Sequence, residues 1–214
     1  MWEICLRVSE ALARLHLRLF PGSWQRARLF HSDGRSVEAR LRPKELVGRG
    51  DFENEVWALD SFVGGKRLRL VEKRFSHDDR RAVWFDKNVL DDLREAGVRV
   101  PEHAWVRQDR QEMPRLVLSD LRFLPGVKRV IDLGHVDARK AVNFAEVKKE
   151  VLAAVEKALE KGYAVRSDAF LLALDKKGFG KPFVVDADWV FSINPGKRKE
   201  EVRGVREHWR EFFG

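Results

Sequence analysis

The chain has 214 residues, of which 44% are hydrophobic and 36% are charged, a composition typical of a folded globular protein. No apolar run approaches the length of a bilayer span, and Glu3, Arg7 and Glu10 interrupt the segment that would be apolar in a signal peptide. Cys5 is the single cysteine, which excludes an intrachain disulfide and a cysteine-rich zinc site. These features predict a cytoplasmic protein without a membrane partner.

Basic residues outnumber acidic ones, with 42 Lys and Arg against 34 Asp and Glu and a net charge of +8. This balance favours an anionic partner such as a nucleotide, RNA or an acidic protein. Charges of both signs are interspersed along the chain, and many Arg and Glu with few Met and Cys are also thermophile-like. If the basic surface is only a thermophile's solvated shell, RNA and duplex DNA should bind weakly at physiological salt.

The first 45 residues are predicted to form an N-terminal extension. Apolar residues recur every three or four positions over residues 2–20, which predicts an amphipathic helix that ends at Pro21-Gly22. Two short strands, Ala27–Phe30 and Ser36–Leu41, are predicted on either side of a turn at Asp33-Gly34.

Residues 46–75 carry the first functional pattern. Gly48 and Gly50 bracket Arg49, and glycines allow backbone N–H groups to approach a phosphate closely because no Cβ intervenes. Gly64-Gly65 then predicts a hairpin turn between two strands. The second of these strands ends near Lys73, whose ammonium group could reach the same phosphates.

A helix is predicted next, ending near Ala96 with Gly97 as its cap. Asp86 precedes Leu90 and Leu93 by four and seven residues, so it shares their inward face. A carboxylate on a buried face needs a cationic partner, and Lys73 is the predicted one. Local pairing of Asp86 with Lys87 or Arg94 is the alternative.

The remaining chain alternates strands and helices around a predicted hinge at residues 119–126. The pattern divides it into a segment 46–121 and a more helical segment 122–214. The predicted elements are two strands (His103–Arg107 and Arg115–Leu118), a helix (Phe144–Lys161), two strands (Phe170–Leu174 and Phe183–Val185) and a last helix (Lys199–Phe213).

Five stretches in this order resemble the protein-kinase-like superfamily, within it the aminoglycoside-phosphotransferase and small archaeal atypical-kinase branches. GRGDFENEVW is similar to the glycine-rich loop, and VEK to the strand that carries the ATP-anchoring lysine. FDKNVLDDLREAGVRVP, RLVLSDLRFLPG and VVDADWV resemble the following helix, the hinge strand and the metal-aspartate segment. The resemblance covers roughly residues 46–192.

The resemblance implies an α+β, kinase-like two-lobed fold with an extra N-terminal helix and a reduced helical C-terminal lobe. It implies ATP and Mg²⁺ as cofactors and a hydroxyl on a protein or small molecule as phosphoryl acceptor. The implied roles are phosphate binding by Gly48, Arg49, Gly50 and Lys73, positioning of Lys73 by Asp86, metal binding by Asp186 and proton acceptance by Asp168.

The sequence departs from this family at the catalytic loop. Five residues after Asp168, where the family has a metal-binding asparagine, stands Ala173, and the chain continues only briefly after Asp186. A catalytically inactive relative that serves as a binding or scaffold protein is therefore a second hypothesis. A basic nucleic-acid-binding protein is the third. Asp168, Asp186 and Asp188 could also be turn-forming or hydrogen-bonded structural residues.

Overall fold

The computed structural model describes residues 24–49, 55–74, 80–107 and 115–214. The predicted helix at residues 2–20, as well as Gly50, lies outside this part of the chain. The described residues divide into two compact units. The first contains those before residue 79 together with Ala104–Val117, and the second contains residues 79–103 and Leu118–Gly214.

The first unit is built on a closed, six-stranded antiparallel barrel. The strand order around it is β1-β2-β3-β4-β6-β5, and β1 pairs with β5 to close it, with Arg28 opposite Arg107 and Phe30 opposite Trp105. The strands are β1 (Gln25–Phe30), β2 (Ser36–Arg49), β3 (Glu55–Val63), β4 (Lys66–Arg74), β5 (His103–Arg107) and β6 (Arg115–Ser119).

Glycine turns join β1 to β2 and β3 to β4. Gly34 has φ +81° between β1 and β2, and Gly64 and Gly65 have φ +54° and +80° between β3 and β4. A left-handed backbone at both central residues is the geometry of a two-residue hairpin that follows strand twist. Both predicted turns are therefore confirmed.

Side chains alternate between the inside and the outside of the barrel, as the strand repeat requires. The inside holds an apolar cluster of buried residues, among them Leu29, Leu41, Leu59, Leu70 and Val106. The outside of β1 and β2 carries arginines at alternate positions: Arg26, Arg28, Arg40 and Arg42.

One end of the barrel interior is charged. Glu72 follows Leu70 by two residues, so it points to the same inner face, and it is 0% exposed. Its carboxylate lies 2.7 Å from Nε of Arg74 and 2.5 Å from Nη1 of Arg115. The Arg74 guanidinium also lies 5.0 Å from the centre of the Trp57 ring.

The second unit packs helices against two small antiparallel sheets. A three-stranded sheet has the order β10-β9-β7, and β8 pairs with β11. The helices are α1 (Arg80–Glu95), α2 (Phe144–Glu160) and α3 (Arg198–Phe213), and the strands are β7 (Val127–Asp132), β8 (Tyr163–Val165), β9 (Phe170–Asp175), β10 (Gly180–Val184) and β11 (Val190–Ser192).

All three helices contribute buried residues to one apolar core in the second unit. Val89 and Leu93 of α1, Val151 of α2 and Trp209 of α3 belong to one cluster of buried residues, together with Leu172 of β9. Its apolar residues recur at helical spacing on α1 and α2, which is why the sequence predicts both helices correctly. None of the described helices is long and apolar enough to cross a membrane.

The predicted fold class is wrong. Strands make up 41% of the described residues, and the barrel is closed, whereas a kinase-like α+β two-lobed fold was expected. The sequence predicts an N-terminal extension for the first 45 residues, whereas β1 and β2 pair with β5 and β3 as barrel strands. The predicted helical C-terminal segment is likewise mixed, because β7 precedes α2, and β8, β9, β10 and β11 lie between α2 and α3.

A hydrogen bond ties β8 to α1 and changes the ionisation of Tyr163. The Tyr163 hydroxyl donates to Oδ2 of Asp92 at 2.5 Å. Burial is the largest cause that raises the pKa of Tyr163 to about 12, and this hydrogen bond and the negative charge of Asp92 are the smaller ones. The folded state thus holds the phenol proton more tightly than the unfolded chain does.

We expect this phenol to make stability fall at alkaline pH. Its contribution is fully present below the unfolded pKa of about 10 and is lost as pH rises through about 12. Tyr163 is the single tyrosine, so tyrosinate absorbance reports this group alone. Asp92→Asn should lower the measured pKa toward its ordinary value, and Tyr163→Phe should remove this part of the pH dependence. An ordinary pKa in the folded wild type would contradict the hydrogen bond.

Candidate metal-binding site

Three carboxylates converge in the second unit. Asp86, Asp186 and Asp188 each offer one oxygen, and these three oxygens all lie within 4.8 Å of one another. Asp86 is 2% exposed, while Asp186 and Asp188 are partly buried. Three like charges at this spacing repel one another, so the cluster favours a bound cation.

Asp86 reaches the cluster because it lies on the buried face of α1. Its helical neighbours Val89, Leu90 and Leu93 are all 0% exposed. Residues three, four and seven positions apart share one face of a helix, so the apolar residues that bury α1 also hold Asp86 inward. The predicted inward position of Asp86 is confirmed.

Asp186 and Asp188 lie on a tight turn after β10. Asp186 precedes the 3-10 turn Ala187–Trp189, and its Oδ1 accepts a hydrogen bond from the backbone N–H of Asp188 at 3.2 Å. Ala187 is 1% exposed, and the turn packs against α1. With Ala187 buried in this turn, the carboxylates of its two neighbours come within 4.8 Å of that of Asp86.

Asp168 lies on a neighbouring turn and is not a member of the cluster. It is exposed, in the 3-10 turn Ser167–Ala169. Two backbone hydrogen bonds hold this turn beside the Asp186 turn: Val185 N–H to the Ala169 carbonyl at 2.9 Å, and Arg166 N–H to the Trp189 carbonyl at 3.1 Å. Two predicted site segments are therefore adjacent in space.

The position of the missing asparagine is closed. Ala173 is 3% exposed in β9, the central strand of its sheet, opposite Lys181 on one side and Val130 on the other. A side chain there points into packed protein and offers no metal ligand. An alanine buried in this strand therefore takes the place of the metal-binding asparagine of the resembled family.

The chemistry of the donors suits a hard divalent cation. Carboxylate oxygens are the ligands that Mg²⁺ and Ca²⁺ prefer, and Mg²⁺ commonly takes one or two carboxylates together with substrate phosphates. Histidine and cysteine, which would indicate zinc, are not among the three residues. The residues present therefore fit magnesium.

Of the predicted phosphate-binding residues, the structure describes Gly48, Arg49 and Lys73, and these three belong to the first unit. Gly48 lies near the end of β2 beside a register shift, and an added Cβ there would meet none of the described atoms within 4 Å. Arg49 is opposite Glu55 in the β2–β3 pair. Lys73 lies on β4, opposite Val56, and is 5% exposed. The predicted pairing of Lys73 with Asp86 stays a prediction.

Asp188 is the cluster member for which the sequence analysis predicts no metal role. The sequence feature that points to Asp188 is its position two residues after the predicted metal ligand Asp186. Asp86 was expected to pair with a lysine, and its place beside Asp186 gives it a second candidate role as a metal ligand.

No protein-family model matches the sequence, and no curated protein matches it. Among solved structures, the chain is similar to a rhoptry kinase from Toxoplasma gondii, with 11% identity and a TM-score of 0.47. The match covers 79% of this chain and 51% of that one, so the chain spans about half the length of the kinase. A likeness at this TM-score carries no argument about function.

Proposed function

We propose that the second unit binds Mg²⁺ together with the phosphates of a nucleotide such as ATP, and that the chain transfers a phosphoryl group to a hydroxyl. The observation that supports this is the convergence of Asp86, Asp186 and Asp188 within 4.8 Å. Asp86 and Asp186 are the two acids that the sequence resemblance assigned to a nucleotide site, and Asp168 lies on the adjoining turn.

The proposed roles follow from the positions of the carboxylates. Asp86, Asp186 and Asp188 would hold the ion, which when bound neutralises charge on the phosphates. Asp168 is exposed beside them, where an acceptor hydroxyl can approach. The acceptor oxygen attacks the γ-phosphorus, the bond from that phosphorus to the β-phosphate oxygen breaks and ADP leaves. The Asp168 carboxylate orients the hydroxyl and accepts its proton.

One observation favours the second hypothesis, a nucleotide-binding protein without turnover. Ala173 is buried in the central strand of its sheet, so the second metal ligand of the resembled family has no equivalent at that position. Positioning and charge neutralisation supply most of the catalysis in phosphoryl transfer. We therefore expect wild-type turnover to be slow.

The experiment compares Asp186→Asn with Asp168→Asn. Thermal melting is measured with ATP alone and with ATP and Mg²⁺, because a ligand that binds only the folded state raises the melting temperature. Asp186→Asn should lose the magnesium-dependent part of this rise, since it replaces a charged ligand by a neutral amide. Asp168→Asn should keep the rise and lower ATP turnover about 100-fold, the scale of a lost general base.

Glu160→Gln is the matched control, because it removes one negative charge from an exposed position at the end of α2. It should leave both melting and turnover unchanged. Absence of a magnesium-dependent ATP effect in the wild type would contradict the nucleotide proposal. Turnover that is unaffected by Asp168→Asn would remove Asp168 from the mechanism but leave the binding proposal standing.

A further inference from the structure

The barrel of the first unit gathers arginines on one face. In the register of β1 to β4, Arg26 lies opposite Arg40, Arg40 opposite Phe62, and Phe62 opposite Arg67. Directly opposed residues of antiparallel strands project from the same face, so these four side chains form one row across four strands. All four are exposed, Phe62 to 40%.

A second row lies beside the first. Arg42 is opposite Asp60, and Asp60 is opposite Arg69. The Asp60 side chain is 4% exposed and accepts hydrogen bonds from Arg42 at 2.7 Å, from Arg67 at 3.4 Å and from Arg69. One buried carboxylate thus holds three guanidinium groups in place, which lowers the entropy that they would lose on binding an anion.

Two aromatic rings lie within this arginine face. The ring centres of Trp24 and Phe62 are 5.4 Å apart. The guanidinium groups of Arg40 and Arg42 lie 5.6 Å and 4.9 Å from the centre of the Trp24 ring. An open concavity of about 480 Å³ is lined by Arg26, Arg40 and Phe62, and also by the carboxylate-bearing Glu38.

The charge of the face is strongly positive. Together with Arg28 and Glu38, which are opposite each other, the two rows contain six arginines and two carboxylates. Six positive charges minus two negative ones leave +4 on these positions, half of the net charge of +8 of the whole chain. The fold therefore brings together on one face arginines that are dispersed in the sequence.

We propose that this outer face of β1 to β4 binds single-stranded nucleic acid. Arginines that track a phosphate backbone, together with aromatic rings on which bases stack, are what sequence-tolerant single-strand binding requires. An exposed ring such as Phe62 gains from stacking only when the base is unpaired, because the base faces of a duplex are already stacked. An acidic peptide would use the guanidinium groups but not the aromatic ring.

The test measures binding of a fluorescein-labelled oligouridine RNA of about 12 nucleotides, within the site size of small single-strand-binding domains. Fluorescence anisotropy is followed with the full chain over a series of salt concentrations. We expect saturable binding at physiological salt that weakens as salt is raised, because phosphate contacts release counterions. Phe62→Ala should weaken binding between about 5-fold and 150-fold, the range measured for a lost stacking partner.

Two matched variants separate this face from general effects. Phe179→Ala removes an exposed phenylalanine of the second unit, 45% exposed against 40% for Phe62, and should leave binding unchanged. Arg26→Ala should lower the salt slope by about one unit, as expected of one lost phosphate contact, whereas Arg210→Ala on α3 should not. Melting temperatures of all variants are compared with that of the wild type, so that a folding defect is recognised.

Several outcomes would overturn the proposal. Binding that does not saturate at physiological salt would show that the face is only a solvated basic surface. Equal affinity for a duplex of the same length, or equal competition by polyglutamate, would show a general polyanion surface without base stacking. Equal effects of Phe62→Ala and Phe179→Ala would place the binding elsewhere. None of these outcomes affects the magnesium proposal, which is read out by ATP and melting.

Discussion

Replacing Trp209 by alanine should lower the free energy of unfolding of the second unit by about 3–5 kcal/mol, the range for large aromatic residues in a core. Trp209 is 1% exposed and is the largest fully buried side chain in the part of the chain that the structure describes. Its ring lies 5.5 Å from that of Phe170, 5.3 Å from Phe212 and 5.7 Å from Phe213. Its Nε1 donates to the Val165 carbonyl at 2.9 Å.

The physical reason is that one side chain joins α3 to two strands. Removal of the indole leaves a cavity between α3 and Phe170 of β9, and it leaves the buried Val165 carbonyl of β8 without this donor. Trp209→Phe keeps part of the packing and loses the hydrogen bond, so it should cost less than the alanine variant.

Urea denaturation followed by circular dichroism measures this loss, and Arg210→Ala is the control. Arg210 is the next residue of α3 and is exposed, so its removal should change stability by less than about 0.5 kcal/mol. Equal stabilities of Trp209→Ala and Arg210→Ala would show that α3 does not pack as described.

The turns, helix faces and helix end that the sequence predicts correctly depend on residues close together in the chain. The Gly64-Gly65 turn demands positive φ, and the hairpin of β3 and β4 follows from it. The apolar spacing of α1 and α2 predicts their buried faces, including the inward position of Asp86. Gly97, with φ +75°, follows the end of α1 as predicted. Each of these features depends on residues within a few positions of one another.

Barrel closure depends on residues far apart in the chain, so local sequence patterns do not predict it. The alternation of apolar and polar residues along β1 and β2 is the same whether their sheet is open or closed. Only the pairing of Leu29 with Val106, and of its neighbours with β5, distinguishes the two. Strand β7 was missed for a related reason, because Lys128 and Arg129 are exposed and its pairing with β9 is non-local.

The candidate site likewise combines residues that the sequence predicts with a long-range contact that it does not predict. Sequence motifs identified Asp86 and Asp186 one at a time, each with its own local alternative. Their approach to one another depends on the packing of the turn Ala187–Trp189 against α1, a tertiary contact. Asp188 was a turn-forming residue in the sequence and became a candidate ligand only because that turn lies beside Asp86.

Replacing Glu72 by alanine should lower the free energy of unfolding by about 3–5 kcal/mol, the range for breaking a buried ion pair. Glu72 is 0% exposed, and its carboxylate lies between Arg74 and Arg115, whose side chains are 18% and 12% exposed. The alanine variant leaves two largely buried guanidinium groups without this counter-charge inside the barrel, and that desolvation cost is the source of the expected loss.

Glu38→Ala is the matched control, since Glu38 is a barrel glutamate paired with an arginine at 2.6 Å but 69% exposed. It should cost about 1 kcal/mol or less, because water screens the pair. A triple variant, Glu72→Leu with Arg74→Met and Arg115→Met, removes all three charges and should recover most of the stability lost in Glu72→Ala. If Glu72→Ala costs no more than Glu38→Ala, the charges at this end of the barrel are solvated. If the triple variant is as unstable as Glu72→Ala, then the loss comes from packing and not from uncompensated charge.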